Sequence, residues 1–129
     1  MGGMSEGAST LEMASAYTTF VNEGVHKSYS SYTKVTTRTG DLLLEPETEE
    51  TKALDAGVAW IMRDVLLSVV SQGIGSPAAV SGVSVGGKTG TTDDRYDIWF
   101  CGFTPTYSAA LWIGTVSYTH LTLPTKLEV

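Results

Sequence analysis

The chain has 129 residues, 42% of them hydrophobic and 17% charged, with a formal net charge of -6. That length and mix suit one domain, or a piece of one, with a packed core, and they exclude a disordered segment. Lysines and arginines are scattered singly, so the basic footprint of a nucleic-acid binder is missing, and one cysteine, Cys101, excludes an internal disulfide and a cysteine zinc cluster.

Met1 to Gly7 is Gly-rich and acidic and does not read as a signal peptide. No apolar stretch approaches the roughly 18 residues a spanning helix needs, so the chain reads as soluble. Ser9-Thr10-Leu11-Glu12 is a capping box, in which Ser9 and Glu12 satisfy each other's amides. Leu11, Ala14, Tyr17, Phe20 and Val21 then recur at helical spacing, and Gly24 supplies the stop; the pattern predicts a helix over Thr10 to Glu23. Tyr32 to Thr36 and Asp41 to Leu44 flank Thr39-Gly40 as a hairpin. Glu45 to Thr51 reads as a polar linker. Asp55 caps a second helix with the stripe Val58, Ile61, Met62, Val65, Leu66 and Val69, ended by Gly73. Neither stripe has a partner helix at coiled-coil spacing, so both are expected to pack on a sheet.

Three strands follow: Val83 to Thr89, Ile98 to Thr104 and Ala109 to Thr115. Short links between them imply an antiparallel meander and an α+β layer arrangement. Ser117 to Val129 is Thr- and Leu-rich without a period. It is similar to translated adapter sequence, so the expected division is a domain portion over 1–116 and a non-native tail over 117–129.

Gly82-Val83-Ser84-Val85-Gly86-Gly87-Lys88-Thr89 matches the phosphate-loop pattern of P-loop NTPases letter for letter. Such a loop needs a helix immediately after it, whose amides face the phosphates. Gly90-Thr91-Thr92-Asp93-Asp94 is no helix start, and two acidic residues repel a triphosphate. The better reading is Lys88-Thr89-Gly90 on a strand, followed by Thr91. A ligand ending in a carboxylate needs a cation and hydroxyl donors, which Lys88, Thr89 and Thr91 supply. Glycine permits close backbone approach. Alternation puts Thr89 and Thr91 on one face, with Lys88, Gly86 and Gly90 on the other.

Lys-Thr-Gly is one of three elements of penicillin-binding proteins and serine β-lactamases. Thr10-Leu11-Glu12-Met13-Ala14-Ser15-Ala16-Tyr17-Thr18-Thr19-Phe20 resembles a helix of the penicillin-binding transpeptidase domain. So do Gly86 to Thr92, then Trp99-Phe100-Cys101-Gly102-Phe103-Thr104-Pro105, then Ala110-Leu111-Trp112-Ile113-Gly114. Order and spacing resemble the C-terminal part of that domain in bifunctional, class A proteins. The resemblance covers roughly Gly7 to Gly114. It implies a partial transpeptidase fold, α+β with an antiparallel sheet packed with helices, and serine acyl transfer that cross-links peptidoglycan without a cofactor or metal. By motif, Lys88 and Thr91 take catalytic roles: Lys88 supplies positive potential, and the Thr91 amide is one of two oxyanion-hole donors. Thr89, Gly90 and Thr91 bind substrate. The implied partners are stem peptides ending in D-Ala-D-Ala and β-lactams, with no nucleic acid. The implied location is the bacterial cell envelope, at the outer face of the cytoplasmic membrane, with the anchor in a segment absent here.

The family's other two elements are not matched. The only asparagine, Asn22, has Phe20 two residues before it, so Ser-x-Asn is missing. Ser31-Tyr32-Thr33-Lys34 matches Ser-x-x-Lys as a string, but in a hairpin strand residues three apart face opposite ways. Ser31 is therefore not the nucleophile, which is expected upstream, outside this chain. A non-catalytic peptidoglycan- or partner-binding module is the alternative. Trp60, Trp99 and Trp112 read as core aromatics, Cys101 as a buried apolar residue, His26 as a solvated loop residue, and Asp97 as a turn cap, a partner of Arg95 or a surface residue.

Overall fold

The computed structural model describes residues 7–92 and 97–114. The segment 117–129 therefore lies outside the described residues, as does Arg95. Helix α1 runs Thr10–Thr18, with the capping box in place: Ser9 N–H donates to Glu12 Oε2 at 2.8 Å, and Glu12 N–H to Ser9 Oγ at 3.2 Å. The helix is shorter than its apolar spacing predicts. After Thr18 the amides of Thr19, Phe20 and Val21 bond three residues back, to Ala16, Tyr17 and Thr18. Two β-branched threonines sit at this point, and the Thr18 hydroxyl takes the Ser15 carbonyl at 2.6 Å, so the last turns tighten. Glu23 and Gly24 then adopt positive φ, 54° and 85°, and turn the chain. A Cβ on Gly24 would overlap the Leu54 carbonyl.

Strand β1, Val25–Lys27, leaves this turn and pairs antiparallel with β4, Glu50–Lys52. β4 falls at the end of the stretch read as a linker. Its Glu-Thr-Lys sequence has no strand pattern. Pairing comes instead from contacts with β1: Lys27 Nζ meets Glu50 Oε1 at 2.6 Å, and the Ala53 and Leu54 amides both donate to the Gly24 carbonyl. Between these strands lies the expected hairpin, trimmed to β2, Val35–Thr36, and β3, Leu42–Leu44, with Gly40 at φ 97°.

Helix α2 spans Ala56–Ser71 with Asp55 at its N-cap. Its buried residues are Ala59, Leu66 and Val70. Of the predicted stripe, Val58, Ile61, Met62 and Val65 are exposed, Ile61 at 57%. The helix is apolar on two adjacent faces, and periodicity cannot say which one the sheet takes. Trp60, read as core, is 59% exposed.

The three-stranded sheet has the order β5-β6-β7: Gly86–Thr91, Asp97–Phe103 and Ser108–Gly114, all antiparallel. This is the expected meander, with β5 starting three residues late. Helix α2 packs against β5, and α1 against β7 and β6. The α1 contact falls on the face of Cys101 and Phe103, both buried, where the Phe20 and Phe103 ring centroids lie 6.5 Å apart. Burial raises the Cys101 thiol pKa, consistent with a small apolar core residue.

Candidate active-site edge

Lys88-Thr89-Gly90-Thr91 lies wholly within β5, and no helix begins at Lys88 or Thr89. That removes the phosphate-loop reading on geometry. Residues 86 and 87 are glycines because the sheet's own rings lie over them. A Cβ on Gly86 would stand 2.5 Å from Phe103 Cζ, and one on Gly87 2.6 Å from Phe100 Cζ and 2.8 Å from the Cys101 carbonyl oxygen. The space above these two positions is thus filled by protein. At Gly90 the nearest neighbour of such a Cβ is Trp99 Cβ, at 3.3 Å.

The register fixes where the backbone of β5 points. Thr92 N–H donates to the Asp97 carbonyl at 3.0 Å, which makes 92 and 97 a hydrogen-bonded pair. Antiparallel ladders alternate such pairs with open ones. Gly90 with Trp99 and Lys88 with Cys101 are then hydrogen-bonded pairs; Thr91 with Ile98 and Thr89 with Phe100 are open. Thr104 N–H donating to the Tyr107 carbonyl at 2.7 Å gives β6 the complementary alternation toward β7. The amides and carbonyls of Thr89 and Thr91 therefore face away from β6, along an edge that no strand among the described residues covers. The exposed Lys88 side chain bends to this edge: its Nζ donates to the Thr89 carbonyl at 2.7 Å and lies 3.3 Å from Thr89 Oγ1. One cation, two hydroxyls and an outward Thr91 amide share a single strand edge, a set suited to an anionic group or a developing oxyanion.

Ser31 and Lys34 do not join this set. Both precede β2 in irregular chain and are exposed, and no hydrogen bond links them to each other or to Lys88. The strand argument against Ser31 therefore gives way to a simpler one, since neither a helix nor a strand holds the pair. Among the described residues no group of three or more His, Cys, Asp or Glu residues is arranged to hold a metal. A hollow of about 250 Å³ lined by Thr18, Asn22, Thr104 and Tyr107 lies at the β6–β7 turn, at the other end of the sheet from Thr91.

Two residues have roles that sequence reading missed. His26 is in β1, half-buried, with Nε2 2.9 Å from Ser15 Oγ, so it pins the β1–β4 ribbon to α1. Asp97 bonds across the turn as expected, its amide donating to Thr92 Oγ1 at 2.9 Å, but it also accepts from Trp112 Nε1 at 2.8 Å, a contact outside that expectation. No spacing rule announces either contact, since the partners lie 11 and 15 residues away.

Residues 2–123 match the family described as "Penicillin binding protein transpeptidase domain". The chain is 46% identical over 115 residues to Penicillin-binding protein 1A of Clostridium botulinum, covering 88% of this chain and 14% of that protein. It is 36% identical over 129 residues to Penicillin-binding protein 4 of Bacillus subtilis, covering 96% and 21%. Among solved structures, the D,D-transpeptidase domain of a peptidoglycan glycosyltransferase from Eggerthella lenta superposes with a TM-score of 0.68 at 33% identity, covering 81% of this chain and 26% of that one. Penicillin-binding protein 3 of Mycobacterium tuberculosis complexed with ampicillin gives 0.71 at 26%, covering 80% and 28%. The chain thus spans about a seventh of the Clostridium relative's length and carries an α+β portion of the fold. It belongs to the penicillin-binding protein transpeptidase domain family.

Proposed function

We propose that this chain supplies the substrate-binding strand of a peptidoglycan D,D-transpeptidase, with the serine nucleophile coming from sequence outside it. The observation that carries this is the outward edge of β5, where the Thr91 amide faces away from β6 and the Lys88 ammonium bends to the Thr89 carbonyl and hydroxyl. The substrate is a stem peptide ending in D-Ala-D-Ala. The serine oxygen attacks the penultimate carbonyl, forming an acyl ester as D-Ala leaves. An amine of a neighbouring stem peptide then takes the acyl group and frees the serine. Lys88 supplies positive potential, the two threonine hydroxyls and the Gly90 backbone hold the terminal carboxylate and peptide, and the Thr91 amide donates to the carbonyl oxygen as it gains charge. The open edge also lets the peptide add as a strand. β-Lactams occupy the same edge as mimics of the D-Ala-D-Ala end. Such chemistry belongs to the cell envelope, at the outer face of the cytoplasmic membrane. No helix among the described residues is long and apolar enough to cross a membrane.

The test is a chimera in which this chain replaces the matching segment of the Clostridium botulinum relative. The chimera should form a covalent adduct with a fluorescent penicillin, and the chain alone should not. Lys88→Ala in the chimera should lower the acylation rate by roughly 10²–10³-fold, the scale of losing one preorganised electrostatic group. Acylation of Lys88→Ala at the unsubstituted rate sinks the assignment. A Ser31→Ala variant of the chimera should acylate normally.

A further inference from the structure

Asp97 opens β6, and its contacts join β6 to Trp112 in β7 and to Thr92, the residue just after β5. Its carbonyl accepts the Thr92 amide at 3.0 Å, and its own amide donates to Thr92 Oγ1 at 2.9 Å. Its carboxylate Oδ1 accepts from the indole Nε1 of Trp112 at 2.8 Å, in a half-buried setting, and Oδ2 lies 3.4 Å from the Thr92 hydroxyl. Trp112 belongs to β7, on the far side of β6. The end of β5 is thus tied through Asp97 to the body of the sheet.

Thr92 directly follows Thr91, whose amide faces the open edge. An edge strand held from one side frays at its ends first, because fewer bonds oppose local opening. An oxyanion donor acts only if its direction is fixed before charge develops. We propose that Asp97 is a positioning residue for acyl transfer: anchored by Trp112, it holds Thr92 and so fixes the direction of the Thr91 amide. The inference rests on reading β5 as the substrate edge. It separates two jobs that a deletion would confuse, the backbone pairing of Thr92 with Asp97 and the carboxylate tether to Trp112. Alanine at 97 leaves the backbone groups of the first in place but loses the second, so the pairing is no longer held to β7 and opens more often. Asparagine keeps both, because its Oδ1 still accepts from the indole and its amide nitrogen can donate to Thr92 Oγ1.

Two measurements test this. In the chimera, Asp97→Ala should slow the penicillin acylation step about tenfold while leaving the precovalent dissociation constant within about twofold, since orientation and not binding is lost. Asp97→Asn should restore the rate to within about threefold of the unsubstituted chimera. In this chain itself, hydrogen exchange at the Thr92 amide should speed up about tenfold in Asp97→Ala and stay unchanged in Asp97→Asn. Where Asp97→Ala fails to fold, Trp112→Phe removes the indole donor without touching Asp97 and should reproduce the acylation loss. Acylation of Asp97→Ala or Trp112→Phe at the unsubstituted rate, or an Asp97→Asn variant as slow as alanine, overturns the proposal. An unsubstituted chimera that takes up no penicillin counts against the proposed function instead, and the exchange rate at Thr92 then decides whether Asp97 holds the strand end. An unaltered Thr92 amide in Asp97→Ala overturns that tether.

Discussion

The three-stranded sheet and helix α2 carry apolar patterns of similar clarity, yet they use them differently. In the sheet, the α1-facing positions Cys101 and Phe103 are buried as alternation requires. In α2, the face with Ala59, Leu66 and Val70 is covered, while Val58, Ile61 and Val65, one step round the helix, stand open. Ile98, Leu111 and Ile113, on the other face of the sheet, are open as well. Apolar residues left open in two places indicate a hydrophobic core that this chain does not fill by itself. That agrees with a chain covering 26% of the Eggerthella lenta domain it resembles. Apolar periodicity says which faces can be buried, and only the partner says which one is.

The largest expected effect breaks or confirms this asymmetry. Leu66→Ala should lower the unfolding free energy of the chain by about 2–5 kcal/mol, because a 5%-exposed leucine leaves a cavity. Ile61→Ala should change it by no more than about 0.5 kcal/mol, as a surface substitution does. In the chimera the Ile61→Ala loss should grow to at least about 1 kcal/mol if the relative's remaining sequence covers that face. Equal losses at the two sites in the chain, read by urea unfolding, would mean that the exposed face is already packed.

Within the sheet, a second and smaller contrast separates glycines that the fold needs from one assigned to the ligand. Gly87→Ala forces Phe100 and the Cys101 backbone to move, and should destabilise the chain by about 1–3 kcal/mol. Gly90→Ala meets only Trp99 Cβ at 3.3 Å and should stay within about 0.5 kcal/mol of the unsubstituted chain. In the chimera the same Gly90→Ala should slow acylation by about tenfold, since a small misplacement at the reacting centre is enough. Stability loss at Gly90 as large as at Gly87 would assign it a packing role instead.

The parts of the fold legible in sequence are those whose cause is local. Ser9 and Glu12 announce the start of α1, Gly24 and Gly40 the turns, and alternation the three strands. The proposed site residues are contiguous in one strand, so motif and alternation together predict which of them share a face. What escapes is set by distant partners. Nothing local marks Glu50 to Lys52 as a strand, because Val25 to Lys27 make it one. Asp97 and Trp112 meet only because β6 and β7 pair in their particular register. Helix α1 ends before its apolar period does because the Thr18 hydroxyl competes for a helix carbonyl, an effect that period does not carry. The stripe expected on α2 names the wrong face at Val58, Ile61, Met62 and Val65, because the helix is apolar on two adjacent sides and the period alone does not choose between them.

The two helix starts give the last and smallest contrast. Both carry a side chain suited to capping, but only Ser9 uses it. Its Oγ accepts the Glu12 amide, whereas the Asp55 carboxylate makes no cap bond and instead takes Lys52 Nζ at 2.5 Å. Ser9→Ala should therefore cost about 1 kcal/mol, and Asp55→Ala should cost less. Both carboxyls have pKa values held below their ordinary range, Glu12 by the Ser9 backbone amide and then the Ser9 hydroxyl, Asp55 by its hydrogen bond to Lys52 and then that ammonium's charge. A carboxyl whose folded pKa is depressed contributes stability that is full above its unfolded value and disappears as pH falls through the folded one. The Glu12 contribution is thus complete above about pH 4.5, the ordinary glutamate value, and lost in more acid solution. Carbon-13 titration of Glu12 should show its pKa rising in Ser9→Ala. It should stop short of the ordinary value, because the backbone amide at position 9 still donates. A Glu12 titration unmoved by Ser9→Ala would show that the hydroxyl adds nothing to the cap. Full return to the ordinary value would show that the backbone bond depends on the serine side chain.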